Sequence, residues 1–133
     1  RKNLANKNRF PFALEINNKE ISEIINNVNI AKTDYVLVAT REHQHDFELM
    51  RWLLTLTIDY LSLMSSIKKW QLLSQALANE GITKKQINMV HSPVGLDIGS
   101  ETVPEIAVSI IAEIINHNRY DKKSAISISK GDK

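Results

Sequence analysis

Arg41, His43, His45 and Asp46 stand within one six-residue stretch, and further along the chain come Ser66 with Lys69, and Asp97 flanked by Gly95 and Gly99. The chemistry these residue types suggest is recognition of an anionic ligand. Arg41 and Lys69 supply cations that can meet a phosphate, a solvated charge at a helix start being the plainer alternative. Two imidazoles and a carboxylate can form an open metal site, yet residues 41–46 read more simply as a helix N-cap, Asp46, with two polar neighbours. His43 is then of interest as a hydrogen-bond donor to a ligand rather than as a metal ligand. Ser66 can cap a helix, touch a phosphate, or both. Asp97 can read a ligand's donors or close a turn on its own backbone. No nucleophile–base pair and no carboxylate pair is specified by the spacing, so catalysis is not expected.

These residues need a scaffold, and the stretch 91–115 is its centre. A loop with two glycines, entered through Ser92-Pro93 in an extended conformation, leads into a helix capped by Thr102, with Val103 and Pro104 in the first turn and Glu105 near the positive end of the dipole. Glu105, Ser109, Glu113 and Asn116 form one polar stripe on an otherwise apolar helix, which predicts that protein covers most of its surface. Residues 34–40 are a near-continuous apolar and β-branched run, the pattern of a parallel strand covered on both faces. Residues 59–65 are a second strand candidate, and a short strand is expected to end the connector 84–90. Between them, residues 47–57 and the segment from Ser66 to a C-terminal Gly81 carry helical apolar spacing, as residues 19–28 do more briefly. Residues 10–16 contain Pro11, which leaves them only an edge or leading strand. Residues 117–133 read as a polar, weakly basic, frayed tail.

Strand alternating with helix predicts an α/β fold with a parallel sheet, whose ligands bind beyond the carboxyl ends of the strands. Residues 40–43, 65–66 and 91–99 should therefore converge on one rim. No glycine-rich dinucleotide fingerprint is present. The 133 residues, 43% of them hydrophobic, suffice for one domain. A formal charge of +2 with dispersed basic residues gives no nucleic-acid footprint. The absence of cysteine removes disulfides and thiolate chemistry and suits a reducing cytoplasm. No run reaches membrane-spanning length, residues 1–9 are too polar for a signal peptide, and the sequence reads as starting partway through a longer chain.

Taken together, residues 91–115, the segment Thr40-Arg41-Glu42-His43 with Asp46, and the segment from Tyr60 to Lys69 resemble the Rossmann-type domain of the XdhC/CoxI family, the accessory proteins of xanthine dehydrogenase and related molybdenum hydroxylases. Arg1 and Arg9-Phe10-Pro11 are similar to a stretch that follows that domain's second strand. The resemblance covers residues 1–116. It implies a Rossmann-like parallel sheet with helices on both faces, lacking its first βαβ segment. That segment would be supplied by a preceding piece of chain or another protomer, in a homo-oligomer or a completed domain. It also implies a factor that binds the molybdenum cofactor, molybdopterin, and delivers it to an apo-hydroxylase, with Thr40, Arg41, His43, Asp46, Ser66, Lys69, Pro93, Gly95, Asp97, Gly99 and Thr102 as the cofactor-binding positions. Glu42, Ser62 and Ser65 stand where the family pattern has glycine, which makes close backbone approach to a ligand harder there. An NAD(P)-binding oxidoreductase-like domain and a degenerate interaction or oligomerisation module are the alternatives.

Overall fold

The computed structural model describes residues 3–121. Three short strands, β1 (Tyr35–Val38), β2 (Tyr60–Leu63) and β3 (Val90–His91), form a parallel sheet in the order β1-β2-β3. Tyr35 lies opposite Tyr60, Val38 opposite Leu63, and Ser62 opposite His91. The helices are α1 (Ile21–Asn27), α2 (His43–Leu53), α3 (Ile67–Asn79), α4 (Lys84–Asn88) and α5 (Val103–Asn116), the last running into a π-helical turn, His117–Asp121. The architecture is the Rossmann-like α/β arrangement.

Alternation along the strands gives the sheet two different faces. Val38, Leu61, Leu63 and Val90 point to one side and join Met50, Leu53 and Leu54 around α2 and Leu77 of α3 in the main core. Tyr60, Ser62 and His91 point to the other side, where α5 lies.

The faces explain several departures from the sequence expectations. β1 is not covered on both sides, since Tyr35 and Leu37 are 40% and 43% exposed. α5 is not covered over most of its surface as expected. Ser109 of its polar stripe is buried, while Val108, Ile111 and Ile115 are 61%, 56% and 51% exposed. The sheet face beneath it is itself polar and aromatic, so the stripe that can hydrogen-bond goes inward. Residues 10–16 form turns rather than a strand. The Arg9 and Phe10 amides donate to the Asn6 carbonyl and Ala13 to Phe10, so local bonds replace a ladder, and Phe12 and Leu14 stay in solvent. α2 begins at His43 with Glu42 in the cap position, so Asp46 lies inside its first turn and is not the cap. The chain leaves helix after Leu53 rather than at residue 57. Residues 84–88 are helical, begun by a reciprocal Thr83–Gln86 capping box. The frayed tail expected from residue 117 starts instead with the π-helical turn, and residues 122–133 lie outside the described part.

Candidate functional site

The loops after the three strands meet at the carboxyl edge of the sheet through backbone steps from one strand to the next. The Met64 amide donates to Val38 O at 2.9 Å, and Val94 to Leu63 O at 3.2 Å. The Ser65 and Ser92 hydroxyls are 2.9 Å apart, and Ser92 also donates to Leu63 O. Ser92-Pro93 is a cis peptide bond.

Beyond this edge is an open cleft of about 580 Å³, with Met64, Ser65, Pro93, Asp97, Ile106 and Ser109 among its walls. Its volume lies within the range of small-molecule pockets. Asp97 is its only charged lining residue among the described residues, and its carboxylate accepts from the Gly99 amide at 3.4 Å, closing the turn while leaving the group exposed. Gly99 has φ +70° in open space, whereas Gly95 has φ +106° and a Cβ there would collide with Ser109 Oγ. The loop crest therefore rests directly on α5.

The expected site residues divide between two places. Pro93, Gly95 and Asp97 line this cleft with Ser65. His43 and Lys69 instead line a neighbouring depression of about 410 Å³ between α2 and α3, floored by Phe47, Leu72 and Leu73. Arg41 is exposed in the loop before α2. Thr40 and Asp46 are joined to each other, the Thr40 hydroxyl donating to the buried Asp46 carboxylate at 2.6 Å, so Asp46 shapes the loop. His45 sits 3.7 Å from Glu42. His43, His45 and Asp46 thus do not converge, and among the described residues no group of three or more metal-ligating side chains gathers.

The starts of α3 and α5 are already capped, whereas no side chain caps α2 at Glu42. Ser66 accepts from the Lys69 amide at 3.2 Å. Thr102 accepts from the Glu105 amide, and Glu105 Oε2 receives the amides of Glu101 and Thr102, both at 2.8 Å. The Thr102 amide first, then that of Glu101, hold the Glu105 carboxyl below its ordinary range. An anion at the head of α5 is thus already present, as part of the chain.

One carboxylate that the sequence reading placed in the polar stripe of α5 without a role is central here. Glu113 Oε1 receives the Tyr60 hydroxyl at 2.6 Å and lies 3.2 Å from His91 Nδ1, and Oε2 receives the Gly95 amide at 3.1 Å. Its side chain is 13% exposed. The Tyr60 ring is 4.5 Å from His91 and 5.1 Å from His117, while Tyr35 donates to Asn118 at 3.0 Å, so an aromatic cluster surrounds the carboxylate. Burial, then the Glu113 carboxylate, push the Tyr60 phenol above its ordinary value. A usable signal existed in the sequence. Ser109 and Glu113 are one turn apart on a helix with few other polar residues, and Tyr60, Ser62 and His91 break an apolar alternation.

Comparison with known proteins places these features in context. The family description "XdhC Rossmann domain" matches residues 1–114. An uncharacterized protein of Escherichia coli K12, YqeB, is 38% identical over 88 residues, which are 66% of this chain and 16% of that protein. A protein of Bacillus subtilis 168, described as a probable subunit of xanthine dehydrogenase, is 37% identical over 82 residues, 62% of this chain and 23% of that protein. A crystal structure described as a xanthine dehydrogenase of Bacillus halodurans superposes with a TM-score of 0.81 at 30% identity, covering 97% of this chain and 38% of that one. The chain therefore spans well under half the length of each of these relatives.

Proposed function

We propose, from the premise that this chain belongs to the XdhC Rossmann-domain family, that it serves a xanthine dehydrogenase-type hydroxylase as an accessory factor, binding the molybdenum cofactor and delivering it to the apo-enzyme. The observation that carries this reading is the cleft at the carboxyl edge of the sheet. A pterin offers a flat ring with amino and ring N–H donors. The cleft offers apolar walls, the Ser65 hydroxyl and one carboxylate, Asp97, to accept such donors. The cofactor's phosphate suits the cations outside the cleft, Arg41 and Lys69, with the Glu42 carboxylate drawn towards His45. Glycine at position 95 lets the loop crest sit against α5 and keeps the cleft open. Among the described residues no helix is long and apolar enough to cross a membrane. We assign the protein to the cytoplasm on its lack of cysteine.

We also propose that a strand-and-helix segment from outside residues 1–133 completes the domain. β1 is an edge strand among the described residues, and on the α5 side Tyr35, Leu37, Val108, Ile111 and Ile115 remain exposed. A parallel strand beside β1, followed by an apolar helix crossing the same face, is the shape that covers both.

The test is titration of the protein with isolated molybdenum cofactor and, separately, with NAD(P). Cofactor binding weakened about tenfold by Arg41→Ala and by Asp97→Ala supports the reading, each change removing one charge-assisted contact. Tighter binding of NAD(P) favours the oxidoreductase-like alternative. Binding of neither near millimolar concentration leaves an interaction module.

A further inference from the structure

We infer that Glu113 is the positioning residue of the cleft, holding the Gly95 loop crest in its ligand-ready place from the inward face of α5. Three groups from three parts of the fold converge on one carboxylate: the Tyr60 hydroxyl of β2 and the Gly95 amide of the loop donate to it, and His91 Nδ1 of β3 lies 3.2 Å away. One turn earlier on the same helix stripe, the Ser109 carbonyl accepts from the Leu96 amide at 3.1 Å, and Ser109 Oγ fills the space a Gly95 side chain would need. Two consecutive amides of the loop are thereby fixed to α5, and the residues on either side of them, Val94 and Asp97, line the cleft.

Helix anchoring alone does not call for this arrangement. Leucine or isoleucine at 113 would attach α5 to the sheet without burying a charge, as Ile110 does on the same helix. What a carboxylate adds is two acceptor atoms aimed in different directions, one at the strands and one at the loop. A carboxylate accepts only, so a hydrogen bond from His91 to Glu113 requires the proton on Nδ1, which is the tautomer expected here. Glutamine at 113 can keep its oxygen on the Gly95 amide only by turning its NH₂ towards Tyr60 and His91. His91 must then accept at Nδ1, and its proton moves to Nε2.

The inference deepens the cofactor reading and rests on it for its functional consequence, but its structural half is measured without ligand. The experiment uses the full 133-residue chain, ¹⁵N-labelled, as wild type, Glu113→Gln and Glu113→Ala. Amide exchange at Gly95 and Leu96, the His91 ring nitrogen shifts and titration with isolated molybdenum cofactor are followed together. In Glu113→Ala, exchange at Gly95 should quicken about tenfold or more while Met50 and Leu77 in the core stay protected, and cofactor affinity should fall about tenfold. Glu113→Gln should restore both to within about threefold of wild type and move the His91 proton to Nε2. Unchanged Gly95 exchange in the alanine variant overturns the inference, as does Gly95 released with cofactor affinity unchanged. Should the alanine variant not fold, the glutamine variant decides: a proton still on Nδ1 overturns the inference, and its transfer with Gly95 still protected supports it. If wild type binds no cofactor, the functional reading fails while the Gly95 exchange still decides the role of Glu113.

Discussion

Tyr60 Oη lies 2.6 Å from Glu113 Oε1, which makes the first residue of the middle strand the direct partner of the last turn of α5. The bond joins the sheet to the helix on the face that lacks an apolar core, and so stands in for packing there.

Replacing Tyr60 with phenylalanine removes the donor and leaves a mostly buried carboxylate with one partner fewer. The cost should be about 1–2 kcal/mol in urea unfolding. The phenol also carries a pH signature. Its folded-state pKa is raised by burial and then by Glu113, so its contribution is fully present below the ordinary phenol value and is lost as pH rises above it. Stability of the wild type should fall from about pH 10 upwards, and that component should be missing from Tyr60→Phe.

Glu105 gives the acid counterpart. Its folded-state pKa is depressed by the Thr102 and Glu101 amides, so its stabilisation is present above the unfolded value and is lost as pH falls through the folded one. Thermal melts from pH 5 down to about pH 2 should show an acid-side loss that Glu105→Gln removes. Thr102→Ala, which deletes the other half of the capping box, should cost about 1 kcal/mol.

The two loop glycines should differ in their tolerance. Gly99→Ala meets no atom within 4 Å and bears only the left-handed backbone penalty of about 1–2 kcal/mol. Gly95→Ala adds a collision with Ser109 Oγ and should cost more, with part of the excess recovered in the double variant Gly95→Ala, Ser109→Ala. Urea midpoints of these variants, the Ser109→Ala single and the wild type measure this coupling.

Ile111→Glu tests what covers α5. The side chain is 56% exposed, so the isolated chain should change stability by no more than about 0.5 kcal/mol. In a longer protein whose preceding segment lies over this face, the same change should cost several-fold more by thermal melt. Sedimentation of the isolated chain adds the remaining comparison, since a dimer dissociated by Ile111→Glu would assign the face to a second copy instead.

The sequence shows some of this directly and hides the rest for physical reasons. Tyr35–Val38 stands out as a strand by its short apolar, β-branched run and Tyr60–Leu63 by a short, largely apolar run between two helical segments, and the start of α5 is marked by Thr102, Pro104 and Glu105. Periodicity identifies a polar stripe on α5, but it carries no information about which way the stripe faces and gives Glu113 no role. The role comes from the opposing sheet face, which offers the Tyr60 hydroxyl as a donor with His91 beside it. Asp46 misled differently: a carboxylate beside a helix start resembles a cap, but Thr40 claims it from within the first turn. α4 was also missed despite a local signal, the Thr83–Gln86 spacing of a capping box.

The Glu105 carboxylate at the head of α5 is, in effect, a tethered competitor. It is bound to the two amides that a phosphate would approach at that helix start, and it cannot diffuse away, so an incoming anion there faces an internal rival at high effective concentration. Rivalry of this kind turns the strongest generic anion trap of the fold into a self-satisfied joint.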